Sequence, residues 1–121
     1  MTPFVSVIMP MFNAEAYVIE ALESIRAQAY DDLEVVVVDD GSTDGSVALV
    51  RAYAAGGGLA IQSLVQENAG PAAARNLGLK YCRGDVIAFQ DADDVWRSDR
   101  LALQLALLAQ YPVAEIVLGM V

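Results

Sequence analysis

Short β-branched runs alternate along this chain with stretches of helical periodicity. FVSVIM (4–9) predicts a strand, and AEAYVIEALESIRAQA (14–29) an amphipathic helix. Val18, Ala21, Leu22 and Ile25 recur on one face of that helix, with Glu20, Glu23 and Arg26 turned away. Asn13 stands where an N-cap is expected. LEVVVV (33–38) is almost continuously apolar, the pattern of a strand buried on both faces of a parallel sheet. GSTDGS (41–46) supplies turn and cap residues before a helix over roughly 45–54, which GGG (56–58) ends. LAIQSLV (59–65) reads as a third strand, and Gly70-Pro71 opens a helix over AAARNLGLKYC (72–82). DVIAFQ (85–90) is a fourth strand. Ser98 is placed to cap a helix over roughly 99–110 that Tyr111-Pro112 stops, and AEIVLGM (114–120) predicts a fifth strand. The alternation implies an open, mainly parallel three-layer α/β/α sheet with right-handed crossovers. Such sheets bind ligands at the carboxyl ends of their strands, so the residues just after each strand carry the functional question.

Pro10, Phe12, Asn13 and Glu15 follow the first strand, and Asp39, Asp40, Gly41 and Ser42 the second. Glu67, Asn68 and Gly70 follow the third and lead to Arg75, while Asp91, Ala92, Asp93 and Asp94 follow the fourth. Turn chemistry accounts for Gly41, Ser42 and Gly70. It accounts poorly for five aspartates at two strand ends, because clustered carboxylates repel unless a cation or donor compensates them. Of Asp39 and Asp40, one is expected to accept loop N–H groups and the other to point into the cleft. Asp91 and Asp93, two residues apart, can share a divalent ion; hard oxygen ligands select Mg²⁺ or Mn²⁺, which bridge to phosphates. Asp94 reads as a turn residue, and the helix dipole accounts for Asp99. Arg75 is the one cation in AGPAAARNLGL. It is either an exposed helix arginine or a cleft residue holding a phosphate or Asp91. The small residues Ala72, Ala73, Ala74 and Gly78 let its helix sit close to the sheet. Phe12 either stacks on a base or fills the core, and Trp96 belongs to the core or to the lip.

Charge narrows the chemistry. The 121 residues suit one domain, 56% of them are hydrophobic, and the net charge is -9. That excludes disorder and argues against nucleic acid or anionic membrane as partners through bulk electrostatics. There is no histidine, so acid–base or metal chemistry falls to carboxylates. Cys82 is the sole cysteine and reads as a core residue. No apolar run reaches the ~20 residues that span a bilayer, and the start lacks a signal-peptide pattern, so a cytoplasmic chain is expected.

Taken together, VSVIMPMFNAEAYVIEALESI, DLEVVVVDDGSTDGS and NAGPAAARNLGLKYCRGDVIAFQDADDVW resemble the family 2 inverting glycosyltransferases of GT-A fold, over about residues 4 to 101. The resemblance implies sugar transfer from a nucleotide-sugar donor, usually UDP-linked, in polysaccharide or cell-wall biosynthesis. It implies that Pro10, Phe12, Asn13 and Glu15 line the nucleotide pocket, that Asp40 reads the uracil, and that Asp39 supports its loop. Asn68, Gly70 and Arg75 would lie near base and phosphates, and Asp91 with Ala92 near ribose or donor sugar. Asp93, with Asp91 beside it, would ligate the Mg²⁺ or Mn²⁺ that bridges the diphosphate. The family's catalytic base lies downstream of the DxD segment and is expected beyond Val121. Residues 1–121 therefore read as a donor-binding portion without its acceptor half, leaving the acceptor (saccharide, lipid or protein) open and permitting self-association. Two other readings use the same aspartates. A haloacid-dehalogenase-type phosphatase would make Asp91 its nucleophile, but that motif belongs after the first strand. A receiver-like Mg²⁺ module would place its acidic pair after the first strand and a lysine after the fifth.

Overall fold

A computed structural model describes residues 3–28 and 30–110. It contains β1 (Val5–Met11), α1 (Val18–Arg26), β2 (Leu33–Asp39), α2 (Ser46–Ala55), β3 (Ala60–Val65), α3 (Pro71–Tyr81), β4 (Val86–Phe89) and α4 (Arg100–Gln110). The four strands are parallel in the order β3-β2-β1-β4. The apolar runs explain the centre of that order. Every residue of β1 and β2 is buried, and the two strands pair over seven positions from Val5↔Leu33 to Met11↔Asp39. The expected fifth strand lies outside the described residues.

Alternate side chains of each strand enter opposite layers. Val35 and Val37 join Val5, Val7 and Met9 beneath Val18, Leu22, Val50 and Leu101 of α1, α2 and α4. Val36 and Val38 face the other way, against Ala74 and Leu77 of α3 and Leu64 of β3. The expectation that small residues seat α3 on the sheet holds. Ala74 is fully buried, and a Cβ at Gly78 would fall 2.5 Å from Ile8 Cγ2 on β1. Cys82 follows the last turn of α3 and packs against this second cluster.

At the amino end of the sheet, burial is polar. Glu34, in register with Ser6, is 1% exposed. Its carboxylate accepts from Ser6 Oγ (2.7 Å), the Arg83 N–H (2.8 Å) and Gln62 Nε2 (3.2 Å), with the Arg83 guanidinium 3.4 Å away. Burial pushes this carboxyl up, but those three hydrogen bonds and the Arg83 charge outweigh it and hold the group below its ordinary value.

One helix start and two caps differ from the expected ones. α1 begins at Val18 rather than residue 14, because Asn13 turns to a positive φ of 48° and residues 14–17 form a turn. The Ala14 carbonyl accepts from both Tyr17 and Val18. Asn13 therefore does not cap α1, and its carboxamide oxygen instead accepts the Thr43 N–H at 2.9 Å. Near the start of α4 the Leu101 N–H donates to Gln28 Oε1 at 3.0 Å, so Gln28, just past the end of α1, supplies the acceptor expected of Ser98. No helix among the described residues is long and apolar enough to cross a membrane.

Candidate functional site

The loops after β1 and β2 are clasped together by short polar side chains. N–H groups of Asn13, Ala14 and Glu15 donate to Ser42 Oγ (2.8 Å), Ser46 Oγ (2.8 Å) and Asp44 Oδ2 (3.3 Å). In return the Gly45 N–H donates to Glu15 Oε2 at 2.6 Å. Asp39, 1% exposed, accepts from the Ser42 N–H and hydroxyl, which completes a chain from β2 to the Asn13 backbone. Asp39 thus supports its loop, and Glu15 is spent on the clasp rather than on the cleft. GSTDGS does more than turn the chain: Asp44 accepts the N–H of Ser46 at the start of α2, while Ser42 and Ser46 hold the neighbouring loop.

Asp40 ties the β2 and β3 ends together. It is 5% exposed, and its two oxygens accept from Gln66 Nε2 (2.9 Å), the Ala69 N–H (2.7 Å), the Gly70 N–H (3.0 Å) and Asn68 Nδ2 (3.3 Å). The Gln66 bond, then the Ala69 backbone bond, outweigh desolvation and, with Gly70, hold the carboxyl below its ordinary value. Both aspartates of the pair are therefore anchors, and Asp40, the one that also lines the cleft as expected, does so with its oxygens already engaged. A carboxylate offers about four lone-pair sites. A bond from Asp40 to a base edge requires one of these donors to leave. Gly41 makes the approach possible: its φ is +83°, and a Cβ there would lie 3.1 Å from the Asn68 nitrogen.

After β4, the Asp94 N–H turns back to the Asp91 carbonyl at 3.1 Å. That turn puts one carboxylate oxygen each of Asp91, Asp93 and Asp94 within 4.8 Å of one another, all three side chains exposed. Three hard oxygen donors open to water fit an Mg²⁺ or Mn²⁺ that keeps part of its hydration shell. Asp94, expected as a turn residue, is both turn and cluster member. Arg75, from α3, brings its Nη2 to 3.6 Å from Asp91 Oδ1. Its side chain is 41% exposed and at the same time paired with Asp91, so it shares features of both expected alternatives. Trp96 is core, 4% exposed, with the Arg100 guanidinium over its ring at 4.8 Å.

These strand ends enclose an open cleft of about 310 Å³. Pro10, Phe12 and Asn13 line it from β1, Asp40 from β2, and Asp91, Ala92 and Asp93 from β4. Phe12 is half exposed there, free to stack on a planar group, and does not fill the core. Asn68, Gly70 and Arg75 act on the cleft from behind, through Asp40 and Asp91. Tyr17, Met11, Ala14 and Pro71 also line it and were not anticipated. Tyr17 was hidden inside an apparent helix period; a helix start at Val18 was the missing signal. Pro71 was legible only as a helix opener.

Comparison with known proteins follows the same geometry. The family model described as Glycosyl transferase family 2 matches residues 6–120. An uncharacterized glycosyltransferase of Haemophilus influenzae is 39% identical over 108 residues, 89% of this chain and 43% of that protein. The putative teichuronic acid biosynthesis glycosyltransferase TuaG of Bacillus subtilis is 36% identical over the same shares of each. The chain thus spans under half the length of these relatives. Among solved structures, S. aureus TarS 1–349 in complex with UDP-GlcNAc superposes with a TM-score of 0.81 at 34% identity, over 89% of this chain and 32% of that one. The mannosyltransferase PcManGT of Pyrobaculum calidifontis, in complex with GDP-Man and Mn²⁺, gives 0.85 at 38%, over 90% of this chain and 33% of that one.

Proposed function

Since the chain belongs to glycosyltransferase family 2 and carries its GT-A sheet, we propose that its cleft binds a nucleotide-diphospho-sugar for transfer with inversion, with a divalent metal on Asp93 and Asp91. The observation that carries this reading is the cleft's two-ended chemistry. An exposed aromatic, Phe12, stands with Pro10 and Pro71 on the walls that also hold Asp91 and Asp93 of the acid trio, with Arg75 beside Asp91. A base and a diphosphate need those two surfaces on one ligand.

In this proposal Phe12 stacks on the base, which UDP supplies by preference. Asp40 holds the 66–70 loop as the wall beside it. Asp91 and Ala92 face the ribose or donor sugar, and Arg75 turns from Asp91 to a phosphate oxygen. A bound Mg²⁺ or Mn²⁺ supplies Lewis-acid stabilisation of the leaving nucleoside diphosphate. The chain corresponds to the donor-binding portion of its relatives, and the base that deprotonates the acceptor hydroxyl is assigned to none of the described residues. The name of TuaG, a putative teichuronic acid biosynthesis glycosyltransferase, supports a role in polysaccharide biosynthesis.

Thermal unfolding with UDP or GDP, with and without Mn²⁺, tests the reading. A ligand at 100 times its Kd stabilises by about 2.7 kcal/mol, which a thermal scan resolves. The expected result is a rise that needs Mn²⁺ and disappears in Asp93→Ala. No response to either nucleotide with Mn²⁺ present sinks the proposal.

A further inference from the structure

The pairing of Arg75 with Asp91 sets a cation against a carboxylate that also belongs to the acid trio. Nη2 stands 3.6 Å from Oδ1, with 41% of the arginine side chain and 55% of the aspartate side chain exposed. An ion pair this open contributes little and exchanges partners freely. The groups around it are Asp93 and Asp94, both exposed, and Arg100, which feels the Asp94 charge. A divalent ion entering among these carboxylates must approach a guanidinium and compete with it for Asp91. A diphosphate entering with the ion reverses that sign, because its oxygens attract both cations.

We propose that Arg75 sets the order in which this site fills. By occupying Asp91 it keeps the empty acid trio weak for a lone divalent cation, and it passes to the diphosphate when cation and diphosphate arrive together. The first half needs only the ion pair and the trio; the second rests on the nucleotide-sugar reading. Arg75 is a positioning and selecting residue here. Cation and diphosphate then bind with positive coupling, and by linkage each strengthens the other by the same factor. A guanidinium that merely braced Asp91 for the metal would give the opposite sign, since its removal would weaken the ion.

Mn²⁺ titration, followed by the electron paramagnetic resonance signal of the free aquo ion, separates these outcomes. It uses the 121-residue chain without nucleotide. Arg75→Gln is expected to bind Mn²⁺ about three- to tenfold more tightly than wild type, the range of an exposed charge acting on a divalent ion. Arg75→Lys, which keeps the charge, stays within about twofold of wild type. At saturating Mn²⁺, Arg75→Gln is expected to lose about tenfold or more in UDP affinity by calorimetry, as befits a lost charge-assisted hydrogen bond. Unchanged or weaker Mn²⁺ binding in Arg75→Gln overturns the proposal. If wild type binds Mn²⁺ but neither UDP nor GDP, the nucleotide-sugar reading fails, while the Mn²⁺ arm still decides whether Arg75 holds the cation off.

Discussion

The two ends of this sheet treat carboxylates in opposite ways. At the amino end Glu34 is buried, and the protein itself meets its charge with three hydrogen bonds and one guanidinium. At the carboxyl end Asp91, Asp93 and Asp94 stand exposed and close together, with one loosely held arginine beside them. A satisfied carboxylate is part of the scaffold; the exposed cluster at the strand ends is where the proposed metal and diphosphate would bind. Asp40 lies between these cases. It sits at the binding end, yet its oxygens are filled by the scaffold.

Removing the acid at each place should separate these roles. The largest effect on folding belongs to Glu34→Ala, which strands Ser6, Gln62 and the Arg83 N–H. A loss of about 3 kcal/mol is expected in urea unfolding, with nucleotide affinity of the folded fraction unchanged. Acid sharpens the point. A carboxyl held low in the fold contributes stability that is present above its unfolded value of about 4.3 and is lost as pH falls through the folded value. Stability of the wild type should therefore fall below about pH 4.3, and Glu34→Gln should flatten that decline; an equal slope in both removes Glu34 as its source. Asp40→Asn should come next. It weakens the acceptors of the 66–70 loop, so the thermal midpoint drops less than in Glu34→Ala, but nucleotide affinity drops with it. The smallest folding change belongs to Asp93→Ala, within about 0.5 kcal/mol of wild type, as for ordinary surface positions. A midpoint as low as that of Glu34→Ala would erase the distinction between the two ends.

Much of this architecture could be read along the chain, because buried parallel strands leave unbroken apolar runs such as LEVVVV. The helix over 71–81 was equally legible, since Pro71 marks its start and Ala74 and Gly78 mark its packed face. Asp91 and Asp93 were legible as chemistry because charge crowding after an apolar run has few structural explanations, whereas Asp94 read as a turn residue and only the fold brings its carboxylate into the cluster. The clasp between Asn13, Glu15, Ser42, Asp44 and Ser46 was not. Each of those residues also suits a turn, and only the register of β1 on β2 makes them partners. Glu34 was hidden for a similar reason: a lone acid in a valine run becomes intelligible once Ser6 lies opposite and Gln62 lies diagonally across on β3. Asp40 shows the limit most clearly, since counting its acceptor sites requires the loop 26 to 30 residues away.

The acid trio hangs from β4, which pairs with β1 over only four positions, Val5↔Val86 to Ile8↔Phe89, across 81 residues of chain. Closing a loop of that length is among the costlier steps in forming the sheet, and few ladder bonds then hold it. The four-position β1–β4 ladder is therefore expected to form after the seven-position β1–β2 ladder. Amide hydrogens of Val86–Phe89 are accordingly the ones set to exchange through local opening, well before those of Val35–Val38. The proposed cation on Asp91 and Asp93 would stabilise the bound form and slow that opening, so Mn²⁺ is expected to leave its mark on the exchange rate of Val86–Phe89.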